Sequence, residues 1–140
     1  MKKSIKYVLG VFTIMSLLTS CDPNDPNNNP QPIDDPRDNY VGSWLCNEHS
    51  NLNGNSSFSV TISLNPNNST QIHLLNFYQL SGQQVYGVVT SNSVTIPSQQ
   101  ITNFNVKGTG TISNNYTKID WNYYVNDGSD IDTCTAVFTK

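Results

Sequence analysis

The chain of 140 residues is long enough for one folded domain but short for two. Seven basic and ten acidic residues give a formal net charge of −3, and only 12% of the residues are charged. Such a chain lacks the basic surface that attracts nucleic acids or anionic membranes, so we expect no nucleic-acid partner.

Residues 1–20 follow the order of a secretory signal peptide. Lys2, Lys3 and Lys6 form a positive start, residues 7–18 are mainly apolar and uncharged, and two small residues come next. The apolar run is too short for a membrane-spanning helix and fits the hydrophobic region of a cleaved signal. Its removal leaves a mature chain with a net charge near −6.

The sequence Leu18-Thr19-Ser20-Cys21 directly follows the apolar run and resembles the lipobox of bacterial lipoproteins. The resemblance implies that a diacylglycerol is attached to Cys21 and that cleavage leaves this residue as an acylated N-terminus. Each buried CH₂ of an acyl chain contributes about 0.8 kcal/mol, so two or more chains hold a protein on a membrane. The alternative is an ordinary secretory signal with a chance cysteine.

Residues 21–39 are predicted to be a lipidated, disordered tether. Positions 22–39 contain five Pro, five Asn and five Asp, and Ile33 is their only large apolar side chain. This segment buries too little surface to offset its ordering entropy. The acidic residues beside Cys21 resemble a surface-export signal of some Gram-negative lipoproteins, whereas Asp directly after the cysteine resembles an inner-membrane retention signal of others. The long spacer favours the outer membrane and a surface-exposed domain.

Residues 40–140 alternate apolar and polar side chains with the period of two that is typical of β-strands. The clearest alternation covers residues 57–64, 104–112 and 118–125. Weaker strand patterns cover residues 40–48, 71–78, 84–91, 93–97 and 131–139. Turn-forming pairs such as Asn53-Gly54 and Asp127-Gly128 indicate tight connections. We therefore predict an all-β domain of eight antiparallel strands.

The cysteines favour closure of this meander into an up-and-down barrel. Cys46 lies on the first predicted strand and Cys134 on the last, each at an inward position. With Cys21 acylated, they form an even pair in an oxidising compartment, which favours a disulfide. A disulfide requires Cα atoms within about 7 Å, and closure makes the first and last strands neighbours. The alternatives are a β-sandwich for the fold and two buried free thiols for the cysteines.

Gly42-Ser43-Trp44 on the first strand resembles the Gly-x-Trp motif of lipocalins and related calycin barrels. The resemblance implies a lipocalin-like barrel in which Trp44 plugs one end. The sequence departs from the family in two ways: residues 131–139 lack the arginine that usually packs over this tryptophan, and the usual C-terminal helix is absent. The alternative is that Trp44 is an ordinary core residue.

Aromatic side chains on the strands are the candidate ligand contacts. We select Trp44, Tyr86, Trp121 and Tyr123 as the residues that would contact a small apolar or glycan ligand. The acids of residues 127–132 could form a weak Ca²⁺ loop, but an Asp-Gly hairpin with solvated acids is the favoured explanation. The sequence contains no catalytic or nucleotide-binding motif and no metal-ligand spacing, so we expect no enzyme activity, metal or cofactor.

Together these patterns predict a lipid-anchored, non-enzymatic lipoprotein of the cell envelope whose lipocalin-like barrel binds a small apolar or glycan ligand. The alternative is a structural lipoprotein with a filled barrel that binds a partner protein of the envelope. A structure separates the two hypotheses, because the inward side chains either surround an empty space or meet in one dry core.

Replacing Cys21 by Ala should release the protein from the membrane fraction, because no acyl chain can then be attached. Detergent-phase partitioning and mass spectrometry of the intact protein measure the effect. Cys46→Ala is the matched control, since it removes a thiol and leaves the lipobox intact. Unchanged membrane association of the Cys21→Ala protein would contradict the lipid anchor.

Overall fold

The computed structural model describes residues 34–140, which form a closed antiparallel β-barrel. Its strands are β1 (Gly42–Ser50), β2 (Gly54–Leu64), β3 (Gln71–Leu75), β4 (Gln84–Thr90), β5 (Ser93–Ile101), β6 (Phe104–Ile112), β7 (Lys118–Asn126) and β8 (Ile131–Thr139). Each strand pairs with the next along the chain, and β8 pairs with β1, so the sheet has no free edge. The predicted eight-stranded barrel is confirmed, and the sandwich is ruled out.

The described range leaves several predictions untested. The signal peptide, Cys21 and the tether as far as residue 33 lie outside it. Within residues 34–140, no helix has the length and apolar character needed to cross a membrane.

Alternation along the strands divides the side chains between the barrel interior and its outer face. In β7, Ile119, Trp121, Tyr123 and Val125 are buried and the residues between them are exposed. Two 3₁₀ helices, η1 (Pro36–Asn39) and η2 (Phe77–Gln79), complete the fold. The turns that follow β1, β5 and β7 share the barrel end of η2, and the other turns share the end of η1.

Several predicted strands have different bounds in the structure, and two of the differences have a clear physical reason. The pattern predicts a strand over residues 71–78, but β3 ends at Leu75, because Asn76 adopts a left-handed conformation (φ 67°) and turns the chain. The pattern over residues 93–97 belongs to a longer strand, β5, whose pairing with β6 is interrupted between Ile96 and Gln99. Pro97 lies in this irregular stretch, where it has no ladder hydrogen bond to lose.

The domain begins earlier than the predicted boundary at Tyr40. Residues 36–39, which the sequence assigns to the tether, form η1, and Arg37 is buried. Its guanidinium group donates to the backbone oxygens of Asn68 (2.9 Å) and Gln71 (3.2 Å) and to the Asp35 carboxylate. The apolar content of the segment could not reveal this anchor, because a polar side chain and backbone carbonyls form it.

Trp44 closes the barrel at the η1 end. Its indole Nε1 donates to the Tyr40 carbonyl at 2.7 Å, and the Lys140 ammonium lies 4.4 Å from the centre of its ring. The Lys140 Nζ also donates to the Val41 carbonyl at 2.9 Å. Residues 131–139 lack the arginine of the lipocalin pattern, and the ammonium group of Lys140 covers Trp44 in its place. The cation comes from the residue just after β8, and only the pairing of β8 with β1 brings it there.

The predicted disulfide between Cys46 and Cys134 is wrong, and both residues are buried free thiols. They lie on neighbouring strands, but Cys46 is opposite Phe138 and Cys134 is opposite Ser50. A register difference of four residues corresponds to about 13 Å along a strand, whereas a disulfide requires Cα atoms within about 7 Å. Strand order and inward parity were predicted correctly, but neither determines the register.

Both thiols should be present and unreactive in the folded protein, because burial raises the pKa of Cys46 and of Cys134 and little thiolate forms. We expect iodoacetamide to label neither residue until the protein is unfolded, and then to label both without a reducing agent. Mass spectrometry counts the labels, and a pre-reduced sample is the control. A linked pair of peptides containing Cys46 and Cys134 would contradict the register.

Candidate functional site

The barrel interior is a single hydrophobic core. It includes Trp44, Val60, Ile62, Val106 and Trp121, and the partly buried Phe58 and Phe104 pack against it. Small residues on neighbouring strands make room for the largest ring: Trp121 lies opposite Gly110 on β6 and Ala136 on β8. A Cβ atom at position 110 would lie 2.8 Å from three carbons of the indole ring.

A connecting segment, rather than a strand, supplies the central ring near the η2 end. Phe77 belongs to residues 76–83, which join β3 to β4 and which we name the plug segment. Its side chain is only 1% exposed, and its ring centre lies 4.6 Å from that of Tyr123, 5.5 Å from that of Trp121 and 6.2 Å from that of Phe138. The plug segment therefore fills a position that the strands line but do not occupy.

The backbone of the plug segment is in an unfavourable conformation. Asn76, Tyr78 and Gln79 all have positive φ values, of 67°, 53° and 56°. For residues other than glycine such conformations cost on the order of 1–3 kcal/mol each, and less for asparagine. Contacts of the Phe77 and Tyr78 side chains must therefore hold the segment in place.

Asp132 is the main polar contact of the plug segment. Its side chain is buried on the inward face of β8, and it accepts a hydrogen bond from the Tyr78 hydroxyl at 2.8 Å. The same carboxylate accepts from Ser50 Oγ (2.6 Å), the Leu52 N–H (3.2 Å) and Asn53 Nδ2 (3.3 Å). Asp132 thus joins the plug segment to the end of β1 and to the turn after it.

Hydrogen bonding keeps Asp132 ionised in spite of its burial. Burial alone would raise the pKa of this carboxyl group, but the bonds from Ser50, Tyr78 and the Leu52 N–H outweigh it and hold the pKa below the ordinary value of 3.8. The carboxylate form of Asp132 is therefore the stable one, and it contacts the plug segment through the Tyr78 hydroxyl.

Glu48 is a second interior acid, and its pKa is shifted in the opposite direction to that of Asp132. It is 6% exposed and accepts hydrogen bonds from the Tyr123 hydroxyl and from Ser56 Oγ. Burial and the nearby negative charge of Asp132 raise its pKa, and the bond from Ser56 only partly offsets them. Among the residues described, ion pairs join Arg37 to Asp35 and Lys118 to Asp120, and none reaches Glu48 or Asp132. The η2 end of the interior is thus acidic and has no basic partner.

Trp121 contributes an unused hydrogen-bond donor to the same region. The residue is 1% exposed, and its indole Nε1 has no hydrogen-bond partner in the described part of the chain. Its ring packs against the rings of Phe77 and Phe138. A buried donor without an acceptor is costly, at about 1–3 kcal/mol, and native structures contain few of them.

The structure separates the four candidate ligand contacts chosen from the sequence. Trp121 and Tyr123 lie together around Phe77, whereas Trp44 lies toward the η1 end. Tyr86 is on the outer face of β4, where it is half-buried and opposite His73. Its backbone N–H and carbonyl pair with the side chain of Gln99 across the irregular stretch of β5.

Sequence reasoning selected none of three important residues of this region as a ligand contact. Phe77 and Tyr78 were assigned to a strand, and Asp132, which is buried, was expected to be solvated or part of a Ca²⁺ loop. A signal for Asp132 was present, because it is two positions from Cys134 and therefore shares its inward parity, as Glu48 does with Cys46. No such signal existed for Phe77, because its position depends on the left-handed turn at Asn76.

The outer face of the barrel also carries a polar depression. It has a volume of about 780 Å³ and lies across β2, β1, β8 and β7. Its lining includes the polar side chains of Asn47, His49, Asn55, Asp120, Asn122 and Thr135. Within residues 34–140, no group of three or more His, Cys, Asp or Glu side chains is arranged to hold a metal ion.

Comparison with known proteins shows similarity of fold alone. No protein-family model matches the sequence, and no curated protein matches it. The solved structure of EF1p2_mFAP2b bound to DFHBI is 14% identical, with a TM-score of 0.54 over 76% of this chain and 97% of that chain. The redesigned beta barrel b11L5F_LGL is 12% identical, with a TM-score of 0.51 over 76% of this chain and 95% of that one.

The two interior acids should affect stability in opposite pH ranges. The stabilising contribution of ionised Asp132 is present above its ordinary pKa of 3.8 and is lost as the pH falls through its lower folded-state pKa. Asp132→Asn should therefore reduce the free energy of unfolding by about 1.5–3 kcal/mol at neutral pH, and by less in acid. Urea unfolding between about pH 3 and about pH 7 measures the difference.

Glu48→Gln provides the contrasting variant. Because the folded-state pKa of Glu48 is raised, its favourable contribution is complete below 4.5 and is lost as the pH rises through the folded-state value. The neutral glutamine should therefore gain stability relative to the parent protein as the pH rises. Asp120→Asn, on the outer face, is the control for a simple charge change. Parallel pH profiles for the Asp132 and Glu48 variants would contradict the assignment.

Proposed function

We propose that this protein is a lipid-anchored, non-enzymatic lipoprotein of the cell envelope whose barrel binds a small ligand with an aromatic ring in the position of Phe77. One observation carries the proposal. The strands line this position with Trp121, Tyr123 and Phe138, but the ring that fills it belongs to the plug segment. An aromatic ligand could replace that ring without disturbing any strand pairing.

We expect the plug segment to open more readily than any of the strands. Connecting segments open locally at a lower free energy than paired strands do. The strained residues of the plug segment relax on opening, which offsets part of the lost packing of Phe77. The polar contacts to be broken include the Tyr78 bonds to Asp132 and to Asn53.

The sequence supports the lipid anchor, the location and the non-enzymatic role in this proposal. The lipobox at Cys21 and the proline-rich segment after it support an anchor in the outer membrane with the domain exposed at the cell surface. The absence of catalytic motifs from the sequence supports a binding role, and both histidines lie on the outer face of the barrel. The complex of EF1p2_mFAP2b with DFHBI offers a precedent for a small molecule bound to a protein of similar fold.

The second candidate is a filled barrel that serves as a rigid scaffold and binds a partner protein of the envelope. The continuous core that extends from Trp44 to Trp121 favours it. So does the polar depression on the outer face, which could contact a partner without any movement of the barrel. The two candidates differ in whether the interior exchanges Phe77 for a ligand.

Titration of the purified protein with indole, a neutral planar molecule, should separate them. The chain has two tryptophans, so two indole N–H signals are expected in its NMR spectrum. Saturable binding should shift the Trp121 signal and leave that of Trp44 unchanged. Phe77→Ala should tighten binding at least about tenfold, because the plug ring no longer competes for the site.

Tyr124→Ala is the matched control, because it removes an exposed aromatic ring from the outer face and should leave the affinity for indole unchanged. The absence of saturable binding to both the parent protein and Phe77→Ala would contradict the proposed ligand site. The filled scaffold would then be the better description.

A further inference from the structure

The plug segment indicates what kind of ligand can replace it, because two adjacent side chains satisfy two different parts of the interior. Phe77 places an aromatic ring between Tyr123 and Trp121. Tyr78 places a hydrogen-bond donor 2.8 Å from the Asp132 carboxylate. A ligand that displaces the segment must supply both a ring and a donor, since either part alone leaves one position empty.

The donor position favours a positive charge. Asp132 is 2% exposed, and its other partners come from Ser50, Leu52 and Asn53, which lie outside the plug segment and can remain when it opens. Hydrogen bonds between ionised partners are roughly twice as strong as those between neutral ones. Glu48 adds a second carboxyl group to this end, and no ion pair within residues 34–140 involves either acid.

The aromatic side chains near Asp132 also favour a positively charged ligand. The ring centre of Tyr78, which leaves with the plug segment, lies 6.3 Å from that of Tyr123 and 6.2 Å from that of Phe104. Tyr123 and Phe104 lie outside the plug segment, so they flank the space that the Tyr78 ring leaves. Faces of aromatic rings attract cations, most strongly where water is excluded. An anionic ligand would be disfavoured, because the ionised carboxylate of Asp132 would repel it.

Trp121 provides an observation independent of the acids. Its indole N–H is buried and has no acceptor among the residues described, and the indole ring packs against that of Phe77. A ligand ring that carries an oxygen atom can supply one. The unpaired donor thus indicates a ring with a hydroxyl group rather than a plain hydrocarbon ring.

We propose that the interior binds an aromatic amine, a hydroxylated ring joined by a short chain to an ammonium group. The ring takes the position of Phe77, the ammonium group replaces the Tyr78 hydroxyl at Asp132, and the ring oxygen accepts from Trp121 Nε1. This inference rests on the proposed function, because it names the ligand class of the same interior site.

Three probes test the proposal on the purified protein; they share a 4-hydroxyphenyl ring and differ in the group at the end of the side chain. Tyramine carries an ammonium group, tyrosol carries a neutral hydroxyl, and 4-hydroxyphenylacetate carries a carboxylate. We expect tyramine to bind at least about tenfold more tightly than tyrosol, and 4-hydroxyphenylacetate to bind most weakly. Calorimetry measures the affinities, and the NMR signal of the Trp121 N–H should move to the position of a hydrogen-bonded indole.

Variants test the assignment of the ammonium site. Asp132→Asn should remove the advantage of tyramine over tyrosol and leave the affinity for tyrosol little changed. Asp120→Asn, which makes the same charge change on the outer face, should preserve that advantage. Should Asp132→Asn fail to fold, Tyr78→Phe serves instead, because it frees Asp132 from the plug segment and should tighten tyramine binding more than tyrosol binding.

The outcomes separate this inference from the proposed function. Equal affinities for tyramine and tyrosol, or a preference for tyramine that persists in Asp132→Asn, would overturn the aromatic-amine assignment. If indole binds and none of the three probes does, the interior site stands and the ligand class is wrong. If neither indole nor any probe binds, the interior site itself fails and the ligand class fails with it.

Discussion

The pairing of β8 with β1 is the constraint on which the rest of this structure depends. It removes the free edges of the sheet and encloses a core that eight separate strands could not form. It brings Lys140 onto Trp44 at the η1 end and Asp132 beside Ser50 at the other. The register of this pairing also separates Cys46 from Cys134, so closure rests on backbone hydrogen bonds and core packing rather than on a covalent bond.

The two ends of the barrel are closed by different means. At the η1 end, Arg37 and Trp44 form hydrogen bonds with backbone carbonyl groups, and Lys140 covers the indole ring. At the η2 end, a strained connecting segment inserts Phe77 into the core, and a single tyrosine hydroxyl joins it to Asp132. The first closure consists mainly of polar contacts to backbone carbonyl groups, whereas the second consists of ring packing and a tyrosine hydroxyl on a backbone with positive φ values. This difference is the reason that we place the proposed ligand site at the η2 end.

Two buried carboxyl groups, those of Asp132 and Glu48, make the η2 end of the interior acidic. Asp132 is stabilised as a carboxylate by donated hydrogen bonds, whereas burial favours the protonated form of Glu48. Glu48 has no basic partner among residues 34–140, and an apolar residue in its place would avoid the cost of burying its charge. Trp121 adds a second unfavourable feature, a buried donor without an acceptor among the described residues. Asp132 contacts Tyr78, Glu48 contacts Tyr123 and Trp121 contacts Phe77, and the proposed ligand site rests on this arrangement.

The sequence by itself determined the strand order, the inward parity of Trp44, Trp121 and Tyr123, and the all-β class, because a period of two is a local property of consecutive residues. The sequence also placed Glu48 and Asp132 on the inward face, because each lies two positions from an inward cysteine. Only the tertiary structure decided the register of β8 against β1, the burial of Arg37 and the insertion of Phe77. Each of these depends on contacts between residues far apart in the chain, or on a backbone conformation that side-chain alternation does not record. The ring that fills the candidate site comes from a residue predicted to lie in a strand, and the left-handed turn at Asn76 is the physical reason that it does not.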